Sequence, residues 1–571
     1  MKLQVRDVPP RSVWALEQSG THPLLARLYA ARGVHEAQAL QTDLKLLLPP
    51  SGLKGIAQAA TLLADAIAQQ HHLCIVADYD CDGATACAVA LRGLMLLGAQ
   101  HVSFIVPDRV VDGYGLTPDI AQRVHASGAQ VLITVDNGIA SVAGVQEAQG
   151  LGMQVLITDH HLPGPELPQA DALVNPNQPG CMFESKSMAG VGVMFYVLLA
   201  LRALMRERGV FSKDTEPKLD GLLPLVALGT VADVVSLDAN NRRLVAQGLL
   251  RMRKGQLPAG LAALFKVAAR DPAQASSQDM GFAIGPRINA AGRLSDMTLG
   301  IECLRTDDSE LAWRLAQQLD TINRERRAME GDMREHALQI AESLMDSEDE
   351  APAALCVYDE DFHEGVVGII AGRLKDLHYR PCFVFANSQS QGQAVLKGSG
   401  RSIPGFHLRD ALDAMVKRYP DLLLRFGGHA MAAGCTLLED DLATFEMALQ
   451  DIAAAWLDEA TLSQTLLTDG GLPPAYLRPD LVKHLQAQVW GQGFAQPVFQ
   501  DTVNVLSQKI VGEKHLSLKL RLHGQLVDAI WFGRTQSLPV QATVAYRLDI
   551  NHWQGMEKVQ LQIEAMQPSY N

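Results

Sequence analysis

The chain has 571 residues, 48% apolar and 20% charged, which is globular composition and enough for three or more domains. Its net charge of −14 excludes nucleic-acid binding by a bulk positive field, though not a locally basic channel, since acidic metal ligands enter the same count. The eight cysteines form no C-x-x-C pair, and there is no signal-peptide pattern and no apolar run of membrane-spanning length, so a cytoplasmic protein with reduced thiols is expected.

Residues 1–45 contain Arg6, Pro9, Pro10 and Arg11 and then mixed helical patterning, an N-terminal extension with no visible chemistry. Beyond it strands and helices alternate. Buried-strand runs fall at Leu73–Ala77, His101–Val106, Val131–Val135 and Met153–Thr158, with helical segments between most of them. Such alternation predicts an α/β parallel sheet covered on both faces, with its ligand crevice at the carboxyl ends of the strands.

The polar clusters fall at those ends. The first strand runs into Asp78-Tyr79-Asp80-Cys81-Asp82-Gly83, and in extended backbone the three aspartates would share a face. Carboxylates that close are tolerated when a hard cation such as Mg²⁺ or Mn²⁺ neutralises them; a lone D-x-D is otherwise a solvated acidic turn. The second strand leads to Pro107-Asp108-Arg109 and then Asp112-Gly113-Tyr114-Gly115, the third to Asp136-Asn137-Gly138, and the fourth to Asp159-His160-His161. Four such clusters at consecutive strand ends converge on one crevice. Of the two histidines, one suits a mixed nitrogen and oxygen metal set, and the other a contact to substrate oxygen or a proton donor.

Leu222–Val235 reads as an apolar helix with one internal carboxylate, Asp233, costly unless paired or metal-bound. In Gly281–Arg293, glycines surround Arg287 and Arg293, and a Gly-rich turn there would let guanidinium forks meet phosphate oxygens. From Asp307 to about Glu350 runs one long helical pattern carrying Arg324, Arg326 and Arg327. A further strand–helix domain follows from Ala354, with glycine-rich turns at Gly398-Ser399-Gly400-Arg401-Ser402 and Arg425-Phe426-Gly427-Gly428-His429. Ser399 and Arg401 together suit a terminal phosphate; either turn could equally be a loop with unusual backbone angles. The last hundred residues turn to period two, Leu516, Leu518, Leu520 and Leu522 alternating with polar residues, as in an antiparallel barrel with one buried face. Trp531, Phe532 and Trp553 are candidates for base stacking or for its core.

Asp78-Tyr79-Asp80-Cys81-Asp82-Gly83, Val135-Asp136-Asn137-Gly138, Thr158-Asp159-His160-His161, Gly229-Thr230-Val231-Ala232-Asp233 and Gly285-Pro286-Arg287-Ile288-Asn289-Ala290 resemble, in order and spacing, the motifs of the DHH phosphoesterase superfamily. More narrowly they are similar to those of the bacterial RecJ exonucleases, and with the later domains the resemblance covers nearly the whole chain. It implies five segments: a 1–45 extension, a 46–305 DHH catalytic domain, a 306–350 connector helix, a 351–460 DHH-associated domain and a 461–571 OB-type barrel.

It also implies a two-metal phosphodiesterase site for Mg²⁺ or Mn²⁺, with Asp80, Asp82, Asp136, His160 and Asp233 as ligands and Asp78 as an additional one. Relatives acting on small substrates often carry a metal-binding His where this chain has Val76, and Asp78 is the candidate for the missing ligand. His161 matches the residue on the scissile phosphate, Arg287 would share its charge, and Asp136 would bridge the metals. Arg109, Arg287, Asn289, Ser399, Arg401, Gly427, Gly428 and His429 would bind the nucleic acid or its 5′ phosphate, the glycine-rich turns facing the metals. The activity implied is a 5′-to-3′ exonuclease releasing mononucleotides from single-stranded DNA in repair and recombination, working as a monomer beside a single-strand-binding protein and a helicase, with no membrane partner. The rivals are a phosphodiesterase of short oligonucleotides or cyclic dinucleotides, whose relatives generally lack the terminal barrel, and a non-catalytic scaffold.

Overall fold

The computed structural model describes residues 2–108, 112–346, 351–390, 392–458, 461–553 and 556–568. The chain divides into a larger unit, Val5–Asn323 with Thr468–Asn571, and a smaller one, Met1–Gln4 with Arg324–Leu467. After a short opening strand, β1 (Lys2–Val5), the larger unit builds a parallel sheet from β2 (Leu73–Ala77), β3 (Val102–Ile105), β4 (Val131–Val135), β5 (Gln154–Thr158) and β6 (Ala172–Val174). Its order is β3-β2-β4-β5-β6, so the chain reverses direction across β2. The crevice of such a sheet opens at that reversal, where the ends of β2 and β4 lie side by side. β6, three residues long, is too short to show a period and has no counterpart among the predicted strands.

Alternate residues of β2 serve opposite faces. Leu73, Ile75 and Ala77 join one core with the helices Ile56–Ala68, Cys81–Leu96 and Gly190–Glu207, while Cys74 and Val76 join another with Pro118–Ala126 and Val142–Gly150. The N-terminal stretch belongs to the first core: Leu16, Leu24 and Leu28 are buried in it, and Arg32 forms an ion pair with Asp469 at 2.8 Å, both side chains almost wholly buried.

The long helix, Ser309–Asp346, passes from the larger unit into the smaller one. There β7 (Leu355–Tyr358), β8 (Cys382–Ser390), β9 (Gln393–Arg401), β10 (Arg425–Gly428) and β11 (Ala432–Leu437) form a mixed sheet in the order β10-β11-β9-β8-β7, around Phe383, Phe385 and Phe445. β12 (Thr465–Thr468) pairs with β1. The chain then returns to the larger unit as a closed barrel, β13 (Phe499–Val511), β14 (His515–Leu522), β15 (Gln525–Trp531), β16 (Gln541–Trp553) and β17 (Met556–Pro568), in the order β13-β14-β15-β17-β16. Leu516, Leu518, Leu520 and Leu522 line its interior, as period two predicts. Phe532 is exposed against His515, Trp531 is half-buried, and the Trp553 side chain lies outside the described ones.

Four local expectations are corrected. Asp78, Asp80 and Asp82 are not on one extended strand, because β2 ends at Ala77, Asp80 caps the helix Cys81–Leu96, and Asp82 lies in its first turn. Asp233 is not inside its helix but at the C-cap of Leu223–Ala232. Gly281–Arg293 is no turn: a π-helical segment, Met280–Ile284, runs into the helix Gly285–Leu294. Ser399 and Arg401 lie within β9, and Gly427 and Gly428 within β10.

Candidate metal centre

The ends of β2, β4 and β5 and the turn after Leu223–Ala232 bring Asp78, Asp80, Asp82, Asp136, His160 and Asp233 together. Two clusters result, Asp82–His160–Asp233 and Asp78–Asp80–Asp136, with ligand atoms in each within 4.8 Å of one another. A third grouping, Asp136–His160–His161, overlaps the first two, so Asp136 stands where they meet. His160 Nε2 lies 3.1 Å from Asp136 Oδ1, 3.4 Å from Asp233 Oδ2 and 3.9 Å from Asp82 Oδ2.

Backbone groups hold most of these ligands. Asp80 accepts from Gly83 N–H at 2.9 Å and Asp78 from Tyr79 N–H at 2.6 Å. Asp82 accepts from Gly190 and Val191 N–H, at 2.6 and 2.9 Å, at the start of the helix Gly190–Glu207. Asp136 sits at φ 63°, a left-handed conformation that non-glycine residues hold only where the surroundings dictate it. Its N–H is bonded to Thr158 O, and Asn137 Nδ2 bonds the Val76 and Val135 carbonyls. Asn177 and Asn175 donate to the carbonyls of His160 and His161.

The electrostatics are those of a site built for cations. Burial and the neighbouring Asp80 raise the Asp82 carboxyl to about 7 against the Gly190 and Val191 amides, and Asp136 and Asp233 are likewise pushed well upward by burial and then by Asp82. Burial and the charge of His161 lower His160 to about 4, leaving the neutral imidazole that metal coordination requires. His161 differs: burial would lower it, but its 2.7 Å hydrogen bond to Asp159, with the charges of Asp159, Asp78 and Asp80, raises it to about 9. It is therefore an imidazolium at neutral pH.

Asp136 Oδ1, His160 Nε2 and Asp233 Oδ2 are buried and accept or donate no hydrogen bond. Buried polar atoms are otherwise satisfied, so three orphans aimed at one another fit a shared cation. An aspartate-rich set with one imidazole suits Mg²⁺ or Mn²⁺.

A pH dependence follows. Without metal, the folded protein holds protons on Asp82, Asp136 and Asp233 that the unfolded chain releases near pH 4, and on His161 one released near 6.5. Stability therefore falls as pH rises, by about 1.4 kcal/mol per pH unit for each extra proton held, with His160 opposing only between about 4 and 6.5. Added Mn²⁺ should raise the unfolding temperature little at pH 5.5 and strongly at pH 8. Equal shifts at both pH values would contradict the proton–metal exchange.

Other predicted residues are placed differently. Arg287 is buried, its guanidinium bonded to Asp320 at 2.9 Å and to the Ala283 carbonyl at 2.6 Å. Asp320 lies on the long helix, so this pair ties the two helices together. Asn289 Oδ1 accepts from Cys81 N–H at 2.8 Å, which fixes the aspartate loop. Arg109 lies outside the described residues. In the smaller unit Arg401 Nη1 reaches Ser399 Oγ at 3.2 Å and the Gly400 carbonyl at 2.8 Å. Gly427 and Gly428 pair with Gly434 and Ala433, and His429 N–H closes that hairpin onto Ala432 O.

Three participants are not among the predicted site residues. Tyr114 stands edge-on to His161, ring centroids 5.9 Å apart, with its hydroxyl 3.3 Å from the Asp136 carbonyl. Asp159 sets the charge of His161, and Gly190 packs against Asp136: a Cβ there would lie 2.5 Å from Asp136 Oδ1. Tyr114 and Asp159 lie in the polar clusters that follow two strands, but nothing in the sequence says which His they serve. The small-residue run Ala189-Gly190-Val191-Gly192 ahead of an apolar helix is the only trace that Gly190 leaves.

Comparison with known proteins agrees with this geometry. Residues 72–230 match the DHH family N-terminal domain, 351–455 the DHHA1 domain and 468–565 the RecJ OB domain. The chain is 46% identical over 555 residues to the single-stranded-DNA-specific exonuclease RecJ of Dickeya dadantii, covering 95% of this chain and 96% of that protein. It is 44% identical to that of Escherichia coli, covering 96% of each. The crystal structure of RecJ from Thermus thermophilus in complex with Mn²⁺ superposes with a TM-score of 0.83 at 30% identity, covering 100% of this chain and 80% of that one. All three domains in the same order, and near-complete overlap with both relatives, place the chain in the family of the single-stranded-DNA-specific exonuclease RecJ.

Proposed function

We propose that this protein is a metal-dependent exonuclease that degrades single-stranded DNA from its 5′ end to mononucleotides, serving DNA repair and recombination. The observation that carries the chemistry is the pair of clusters meeting at Asp136, with its three buried, unsatisfied ligand atoms. Asp82, His160 and Asp233 would hold one cation, Asp78 and Asp80 the other, and Asp136 both. Two such ions supply a water ionised at neutral pH and neutralise charge on the scissile phosphate. The remaining work belongs to the protein. Asp159 keeps His161 protonated, so its imidazolium offers a charged donor to a phosphate oxygen. Tyr114 packs against that ring and limits its rotation.

Ser399 and Arg401 are the reading's best candidates for a terminal phosphate. Arg401 is largely buried, and among the described residues no carboxylate forms an ion pair with it. A desolvated guanidinium beside a hydroxyl favours a dianion. Arg401→Ala should reduce the preference for 5′-phosphorylated over 5′-hydroxyl ends by about tenfold, the worth of one charge-assisted bond, with a smaller loss on hydroxyl ends. Equal preference in both proteins would remove Arg401 from this role.

The family resemblance supports a cytoplasmic monomer with a single-strand-binding protein and a helicase as partners. Among the described residues no helix is long and apolar enough to cross a membrane. The test is digestion of a long single strand labelled at either end, with Mg²⁺, Mn²⁺ or EDTA, beside the same sequence as blunt duplex. Metal-dependent release of mononucleotides from the 5′ end of the single strand is expected. Cleavage confined to oligomers of a few nucleotides would move the assignment to a small-substrate phosphodiesterase.

A further inference from the structure

Within the larger unit a cavity of about 230 Å³ lies between the N-terminal segment 39–42, the helix Ala239–Arg253 and the segment 487–494 that leads into the barrel. It shares no residue with the metal centre. Arg242, Arg243 and Arg253 all line it, and no aspartate or glutamate does, in a chain with 63 acidic residues against 49 basic ones.

The guanidinium groups are held by neutral partners. Arg242 donates to the carbonyls of Leu237 and Ala39, Arg243 to those of Gln41 and Gln38, and Arg253 to those of Ala275 and Ala487. These bonds fix position and use some of each fork's five donors, but they cancel no charge. None of the three forms an ion pair within 4.0 Å among the described residues. The nearest acids are engaged elsewhere: Asp238 binds Ser185 Oγ at 2.6 Å and Asn241 N–H at 2.9 Å, and Asp279 binds Ser276. Arg242 also stacks on Phe494, 4.2 Å from the ring centroid, which orients its plane. Burial lowers the pKa of both Arg242 and Arg253 although the charges of Asp238 and Asp279 act to raise them, the mark of cations short of solvent.

Structural arginines that only staple a loop need neither to converge on a void nor to exclude every carboxylate from it. We propose that this cavity binds the terminal phosphate of a small nucleotide ligand. Three guanidinium forks match phosphate oxygens, Thr42, Gln41 and Gln488 offer hydroxyl and amide partners for a sugar, and Leu40, Leu249 and Val489 provide an apolar wall. The phosphate can come from a free mononucleotide or from the 5′ end of a strand; the chemistry is shared. An occupant would bridge the N-terminal segment, the catalytic-domain helix and the entry to the barrel, so its binding should stabilise the larger unit.

The test is thermal unfolding and calorimetry of the full chain in EDTA, which keeps the metal centre out of the readout. Inorganic pyrophosphate and dAMP should raise the unfolding midpoint, and adenosine should not. Arg242→Gln and Arg253→Gln should each weaken pyrophosphate about tenfold, as loss of a charge-assisted contact does. Ala246→Phe, which fills the cavity while leaving all three arginines in the chain, should abolish the response while its unliganded midpoint reports its folding. Arg401→Ala should respond as the parent does. A 5′-phosphorylated oligonucleotide that stabilises as well as dAMP would identify a strand end as the occupant, and one that does not would identify the free nucleotide. Absence of stabilisation by either anion, an equal response to adenosine, persistence in all three pocket variants or loss in Arg401→Ala would overturn the site.

Discussion

Asp136→Asn should lower hydrolysis of single-stranded DNA by about a thousandfold or more while leaving strand binding within a few-fold. The substitution keeps the size of the side chain and a residue type that tolerates left-handed backbone, so the φ of 63° is not disturbed. What it removes is the negative charge and one of the two ligand oxygens at the point shared by both clusters. Charge stabilisation at such centres amounts to several kcal/mol, and about 4 kcal/mol is about a thousandfold in rate. The metal-free variant should also melt at a higher temperature than the parent near pH 8, because burial and Asp82 make the Asp136 carboxylate a source of repulsion when no cation is bound. Activity and stability thus move in opposite directions. A variant both inactive and less stable in EDTA would mean that Asp136 serves the fold and not the ions.

Gly190→Ala is the second large effect, and it falls on a residue with no reactive group. The new methyl would lie 2.5 Å from Asp136 Oδ1 and 2.6 Å from Asp136 Cβ. Asp136 cannot swing aside, since its backbone is pinned by the Thr158 carbonyl and already holds an unfavourable conformation. The helix must then retreat, and with it the Gly190 and Val191 amides that bind Asp82. One methyl therefore loosens Asp82 and withdraws the helix start from Asp136. A loss of about 10- to 100-fold in Mn²⁺ affinity is expected, as for other residues that orient ligands, with activity recovering in part at high metal concentration. Parent-like metal affinity in a folded Gly190→Ala protein would show that the helix start accommodates the methyl without moving the site.

The parallel sheet was legible because its central strands β2 and β4 are buried on both faces and so read as mainly apolar runs, each ending in polar residues. The barrel was legible for the opposite reason, since β14 buries one face and alternates. Glycine misled. Gly398 and Gly400 suggest a turn, yet they lie within β9 because the rings of Phe385 and Phe383 on the neighbouring strand press against them and leave no room for a Cβ. Gly292 suggests a phosphate loop, yet it is helical and bare because the Tyr79 carbonyl approaches it. In both places glycine marks a close approach between distant segments, which only the folded chain reveals. The partner of Arg287 is equally hidden: Asp320 lies 33 residues further on, and no local pattern signals a buried pair. The aspartates converge on a different backbone from the one expected, since a strand end, a cap and a first helical turn bring them together as well as one extended face would.

The smaller unit is spliced between the two parts of the larger one. On the ribosome the hydrophobic surfaces of Leu28 and Tyr29 emerge early, whereas Trp490 and Phe494, which pack with Tyr29, emerge more than four hundred residues later. The catalytic half must therefore wait, partly uncovered, until nearly the whole chain has been made, the situation in which nascent proteins need chaperones. It also means that trimming the chain after Leu467 is not the removal of an accessory. Such a truncation strips the wall from a core assembled at the opposite end of the gene product.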